Sequence, residues 1–153
     1  MSDKNSLIAS ETWAGTKEMP TVQPIKKRIL VVDDDPDFTD LLRLLLETTH
    51  EYDVRVENDS KRGIGSALEF RPDIILMDLG MPEVDGGELA SRLREKANLR
   101  KVPIVFLTGS VTKEEVSQRG GLIGGRTFLA KPVTMPELLD CLSKYLGTSP
   151  DGD

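Results

Sequence analysis

Five polar side chains stand where short β-forming runs stop. Asp33 and Asp34 follow the apolar stretch 29–32, Asp78 follows 74–77, Thr108 ends the run beginning at residue 102, and Lys131 follows 127–130. Together they supply three carboxylates, a hydroxyl and an ammonium. Carboxylates that share a small pocket repel one another, so their charge must be neutralised or their pKa values must rise. A cation is therefore implied. Hard oxygen ligands with no Cys or His nearby favour Mg²⁺, with Mn²⁺ as the second choice, and Mg²⁺ typically combines one or two carboxylates with waters and a phosphate oxygen. A carboxylate held beside such a cation, an ammonium and a hydroxyl is equipped to attack a phosphoryl group and to stabilise the acyl phosphate that results.

That chemistry requires the five residues to meet, and the pattern of elements predicts that they do. Strands are expected at 29–32, at Tyr52, Val54 and Val56, at 74–77, at 102–107 and at 127–130. Helices are expected between them at 36–48, 61–70, 87–96 and from Thr112, and after the last strand from Thr134. Phe38, Leu41, Leu42 and Leu45 form the expected apolar face of the first helix, and Leu138, Leu139, Leu142 and Leu146 that of the last. Asp35 before Pro36 is a helix start, and Thr112 with Glu115 and Thr134 with Glu137 read as capping boxes. Five βα units imply an α/β fold, a doubly wound, three-layer (βα)5 sandwich around a parallel sheet. In the order 2-1-3-4-5 the first and third strands are neighbours, and all five polar residues lie at one carboxyl edge, where such folds bind ligands. Taken singly, Asp33 and Asp34 merely extend a polar turn, Thr108 caps a helix and Lys131 is a solvated charge. Joint placement at one edge is what gives the chemical reading.

Composition narrows the classes. Of 153 residues, 38% are hydrophobic, enough for one core. Five basic and three acidic side chains fall in 1–28, leaving fifteen against twenty-three afterwards, so the body is acidic and nucleic-acid backbone is disfavoured as a partner. The lone cysteine, Cys141, excludes an intrachain disulfide and reads as a small apolar helix residue; the lone histidine, His50, reads as a helix-terminal cation. No run approaches the roughly 20 apolar residues of a membrane span, and the N-terminus lacks a signal-peptide core, so a cytoplasmic protein with no membrane insertion is expected. Residues 1–26 read as a flexible extension in which Leu7, Ile8 and Trp13 offer a short docking motif or nothing more than solvated chain. The folded domain is expected at 27–148, with a short tail at 149–153.

The stretches 31–36 (VVDDDP), 77–82 (MDLGMP) with Asp85 and Gly86, 106–110 (FLTGS) and 130–132 (AKP) resemble the receiver domains of two-component response regulators, over about residues 28–147. The resemblance implies a flavodoxin-like fold and a role for each position. Asp78 is the phosphoacceptor, Asp34 a direct Mg²⁺ ligand, Asp33 a ligand acting through water, and the backbone carbonyl of Gly80 a further ligand. Lys131 binds the phosphoryl oxygen, with Lys131-Pro132 a candidate cis peptide bond, and Thr108 with Phe128 couples phosphorylation to a surface change. Outside the resemblance, Phe128 reads simply as a core aromatic. The implied partners are a sensor histidine kinase or a histidine phosphotransfer protein upstream and a target protein downstream. The chain stops soon after the last helix, so a single-domain regulator is expected, with output through protein contact or onward phosphorelay. It would catalyse its own phosphorylation and dephosphorylation without being a multiple-turnover enzyme.

Two departures from the family affect mechanism. Gly80 and Ser110 are small where many relatives carry larger side chains, so an open pocket and a short-lived phosphorylated state are expected. The segment 120–125 (GGLIGG) predicts a short, loosely held fourth helix and a mobile stretch that responds to phosphorylation; a glycine-rich phosphate cradle is the other reading, although such cradles open helices and this one precedes a strand. The rival functions are a Mg²⁺-dependent phosphohydrolase with an aspartyl nucleophile and a docking scaffold that needs no phosphorylation. Such hydrolases commonly place the nucleophile after the first strand and carry a cap for substrate, whereas here Asp78 follows the third strand and no segment suits a cap. The complete acidic set argues against the scaffold.

Overall fold

Residues 29–32 are apolar on both sides, which suits a strand covered on two faces, and the computed structural model places them there. The structure describes residues 25–119, 121–123 and 126–147; the expected N-terminal extension up to residue 24, the tail from residue 148 and Gly120, Gly124 and Gly125 lie outside them. The elements run β1 (Lys27–Val32), α1 (Pro36–Glu47), β2 (Tyr52–Glu57), α2 (Gly63–Phe70), β3 (Ile74–Asp78), α3 (Gly86–Arg94), β4 (Ile104–Thr108), α4 (Lys113–Gln118), β5 (Leu122–Ile123), β6 (Arg126–Ala130) and α5 (Met135–Leu146). Single 3₁₀ turns at Ser60–Arg62 and Ala97–Leu99 precede α2 and β4.

The sheet order is β2-β1-β3-β4-β6-β5. Its five parallel strands follow the expected 2-1-3-4-5 order, with β6 the fifth of them, so the fold is the flavodoxin-like (βα)5 sandwich. Alternate residues of β1 feed opposite core layers. Ile29 and Val31 pack with Leu42 and Leu46 of α1 and Leu138 and Leu142 of α5, while Leu30 and Val32 pack with Ala67 of α2 and Leu89 and Leu93 of α3.

The helix starts are where side-chain oxygens satisfy free backbone N–H groups. Asp35 accepts from the Asp37 and Phe38 amides, Asp85 from that of Glu88, and both threonine capping boxes are formed. Several expectations need correction. Leu41 is 54% exposed, and the buried positions of α1 are Thr39, Leu42 and Leu46; the expected stripe is rotated because Asp35, as cap, fixes which side chains of the first turn face the sheet. The second helix begins at Gly63 after a 3₁₀ turn, and the third begins at Gly86 and ends at Arg94. β4 starts at Ile104, since Pro103 has no N–H to donate. His50 lies three residues past the end of α1, with φ 62° and an exposed side chain. The short fourth helix is present, six residues with none buried, and the glycine-flanked pair Leu122–Ile123 adds an antiparallel edge strand to β6 that the sequence reading lacked.

Candidate functional site

Strand register alone aligns the chemistry-bearing residues. Val32 pairs with Met77, Asp78 with Leu107, and Thr108 with Ala130. Asp33, Asp78, Thr108 and Lys131 therefore stand at the carboxyl edge of four adjacent strands. Oxygens of Asp33, Asp34 and Asp78 all lie within 4.8 Å of one another. This is the only such cluster among the described residues, and its hard oxygen donors fit a divalent cation of the Mg²⁺ type.

The three acids differ in environment. Asp33 is 1% exposed and both its carboxylate oxygens are occupied, Oδ1 accepting from the Asp35 amide at 3.0 Å and Oδ2 from Lys131 Nζ at 2.7 Å. Burial pushes its carboxyl above the ordinary value, opposed by the Lys131 and Asp35 hydrogen bonds and reinforced by the charge of Asp78. Asp34 is exposed, beside a cleft of about 210 Å³ that Asn58, Ser60 and Pro82 also line. Asp78 is partly buried, with its Oδ1 3.7 Å from Lys131 Nζ and 3.5 Å from the Gly80 amide. One ammonium thus spans two carboxylates, which leaves two net negative charges in the cluster for a cation to balance.

Thr108 is 1% exposed; its Oγ1 accepts from the Ser110 amide at 3.1 Å, and its carbonyl accepts from the Lys131 amide at 2.9 Å. The peptide bond Lys131-Pro132 is cis, as expected. Phe128 is 7% exposed and packs on Phe106, with ring centroids 5.3 Å apart, so its aromatic ring belongs to the core in this structure. A Cβ added at Gly80 would meet no atom within 4 Å, in keeping with an open pocket mouth.

Three contributors to the site were not singled out from the sequence. Phe38, expected only as core, holds its ring centroid 4.3 Å from Lys131 Nζ and so faces the ammonium. Asn58 donates to the Asp33 carbonyl at 2.8 Å and to Thr39 Oγ1 at 2.9 Å, tying β1 and α1 to the loop after β2. A threonine on the buried stripe of α1 was the available signal for that clamp. Gly86 starts α3 against the backbone of Asp78: a Cβ there would lie 2.3 Å from the Asp78 carbonyl oxygen. The Asp85-Gly86 pair stands in a motif, but its close approach to Asp78 leaves no trace in the sequence.

The model of the response regulator receiver domain matches residues 29–143. The polar-differentiation response regulator DivK of Brucella anthropi is 32% identical over 123 residues, 79% of this chain and 97% of DivK. Among solved structures, the receiver domain of the sensor histidine kinase PA1611 of Pseudomonas aeruginosa, with a magnesium ion coordinated in its active-site cleft, is similar at TM-score 0.67 and 30% identity, over 81% of this chain and 100% of that one. The chemotaxis protein CheY4 of Vibrio cholerae is similar at TM-score 0.66 and 26% identity, over 79% and 99%.

Proposed function

Because the chain belongs to the response regulator receiver-domain family, we propose that it is a switch operated by transfer of a phosphoryl group to Asp78. The observation that carries this reading is the cluster of three carboxylates within 4.8 Å, two of them reached by Lys131. In the transfer, a carboxylate oxygen of Asp78 forms a bond to phosphorus. The P–N bond to a donor histidine breaks, and the imidazole leaves and takes up a proton. Lys131, now bound to Asp33 and 3.7 Å from Asp78, is placed to bind an incoming phosphoryl oxygen, and the Thr108 hydroxyl is one strand away to donate to another.

Mg²⁺ would be held directly by Asp34, Asp78 and the Gly80 carbonyl, and through water by Asp33, whose oxygens already accept from Lys131 and Asp35. When bound, the ion neutralises charge on the phosphoryl oxygens and on the acids. Asn58 and Phe38 keep the acidic loop and the lysine in place. Thr108 and Phe128 then couple occupancy of Asp78 to the surface formed by α4, β6 and α5, where a target protein would dock or from which the signal passes onward. The donor is a sensor histidine kinase or a histidine phosphotransfer protein. A cytoplasmic location suits that donor, and no helix among the described residues is long and apolar enough to cross a membrane.

The test is a titration of the protein with beryllofluoride and Mg²⁺, followed by amide shifts, alongside a turnover assay on small phosphate esters. A switch binds the analogue at one equivalent, only with Mg²⁺, and shifts amides of α4, β6 and α5. Repeated turnover of esters would instead assign an aspartyl phosphohydrolase, and a folded protein indifferent to the analogue would assign a docking scaffold.

A further inference from the structure

A cleft of about 350 Å³ lies between α3 and the first residues of β4 and β6, with a volume in the range that accommodates small molecules. It is separate from the acidic pocket. Ile104, at the start of β4, lies on its wall, and Thr108, at the end of that strand, is about 13 Å away by strand rise. α4, which packs along β6, is only six residues long and has no buried residue.

Its chemistry is basic and aromatic, in a chain with 26 acidic and 20 basic side chains. Elsewhere on the surface, cations pair with acids, as in Arg55 with Glu69, Lys61 with Glu83, Arg92 with Glu88 and Lys113 with Glu137. The two arginines of the cleft, Arg94 and Arg126, have no carboxylate within ion-pair distance among the described residues. Arg94 spends Nη1 on the carbonyls of Arg100 and Val102, which leaves Nε and Nη2 as donors. The Arg126 guanidinium lies over the Phe106 ring, 5.4 Å from its centroid, so it is fixed against an apolar surface. Gly87 leaves room for it, since a Cβ there would come within 3.3 Å of Arg126 Nη1. The mutually hydrogen-bonded hydroxyls of Thr127 and Tyr145 also line the cleft.

A guanidinium immobilised on an aromatic ring offers its other face to a planar group, as arginine does when it stacks on bases. A second guanidinium with free donors in the same cleft suits a phosphate. We propose that this cleft binds a nucleotide, its base against Arg126 and its phosphate at Arg94. The proposal goes beyond the phosphorylation switch and does not depend on it.

The test is calorimetric titration of the full chain and its Asp78→Asn variant with AMP and GMP, and separately with adenosine, guanosine, inorganic phosphate and hexaglutamate. At least one nucleotide is expected to saturate the protein below about 1 mM, with the matching nucleoside and inorganic phosphate at least about tenfold weaker. Arg126→Lys, which keeps the charge and removes the planar face, and Arg94→Ala should each weaken nucleotide binding by about tenfold at a temperature where melting curves show the variant fully folded, and Asp78→Asn should leave nucleotide binding unchanged. Phosphate binding as tightly as nucleotide, hexaglutamate binding tighter, indifference to Arg126→Lys, or no saturable nucleotide binding would each overturn the proposal.

Discussion

Two helical glycines should respond in opposite directions to the same added methyl group. Gly65, in α2, has no atom within 4 Å of an added Cβ and no positive φ, so Gly65→Ala should stabilise the protein by about 0.5–1 kcal/mol through reduced backbone entropy of the unfolded chain. Gly86, at the start of α3, is helical too, yet its Cβ would lie 2.3 Å from the Asp78 carbonyl oxygen, 2.9 Å from Leu79 Cα and 3.1 Å from the Asp78 carbonyl carbon. These are backbone atoms, so no rotamer change relieves the clash. Reaching ordinary contact, which begins at 3.4 Å, requires a movement of about 1 Å between α3 and the end of β3. The hydrogen bond from the Gly86 amide to the Leu79 carbonyl, 2.9 Å, resists that movement.

Overpacking of this kind costs about 1–3 kcal/mol, so Gly86→Ala should lower the urea midpoint while Gly65→Ala raises it. The displacement also reaches Asp78, the proposed acceptor. Misplacement of a reacting group by about 1 Å can cost up to about 100-fold, so phosphoryl uptake from acetyl phosphate should slow in Gly86→Ala under conditions where it is fully folded. Equal stability of the two variants, or uptake by Gly86→Ala at the wild-type rate, would refute the close approach of α3 to Asp78.

Asn58→Ala removes the partner of the Asp33 carbonyl and of a buried hydroxyl, and should cost about 1–3 kcal/mol in urea denaturation together with weaker Mg²⁺ binding. The Glu137 carboxyl is held below its ordinary value by the Thr134 amide first and by Lys113 next. An acid with a depressed folded-state pKa adds stability above its unfolded value of about 4.3 and loses it as the pH falls through the folded value. Glu137→Gln should therefore lower the melting temperature near pH 7, with the difference from wild type shrinking as the pH falls through the carboxyl's lowered folded-state value. Burial pushes the Cys141 thiol up to about 11, against an ordinary 9.0, so at about pH 8 its thiolate fraction is roughly 100-fold below that of a free thiol. Iodoacetamide labelling of the native protein, followed by mass, should be slower than for a small thiol by at least that factor.

The site was legible in the sequence because its residues sit at strand ends, and in a parallel sheet strand ends are spatial neighbours. Asp33, Asp78, Thr108 and Lys131 needed only the strand order to be brought together, and the buried strands announce themselves as apolar runs. What was not legible depends on side-chain direction and on space. The stripe of α1 was misread at Leu41 because five leucines in six positions, 41–46, fit more than one helical face, and the choice is made by the Asp35 cap and the clamp on Thr39. The tie between Asn58 and Asp33 spans 25 positions and leaves no periodic trace. The role of Gly86 lies in an atom that is absent, which only coordinates reveal. The two-residue strand β5 was hidden because its flanking glycines suggest loop, whereas its pairing depends on the exposed edge of β6.

The central claim, that Asp78 accepts a phosphoryl group in this acidic pocket, is tested most directly by intact mass after incubation with acetyl phosphate and Mg²⁺, before and after neutral hydroxylamine, which cleaves acyl phosphates. The predicted result is a gain of one phosphoryl group that requires Mg²⁺, disappears with hydroxylamine and is absent in Asp78→Asn. A gain that persists in Asp78→Asn, or a folded wild-type protein that takes up no phosphoryl group, would contradict it.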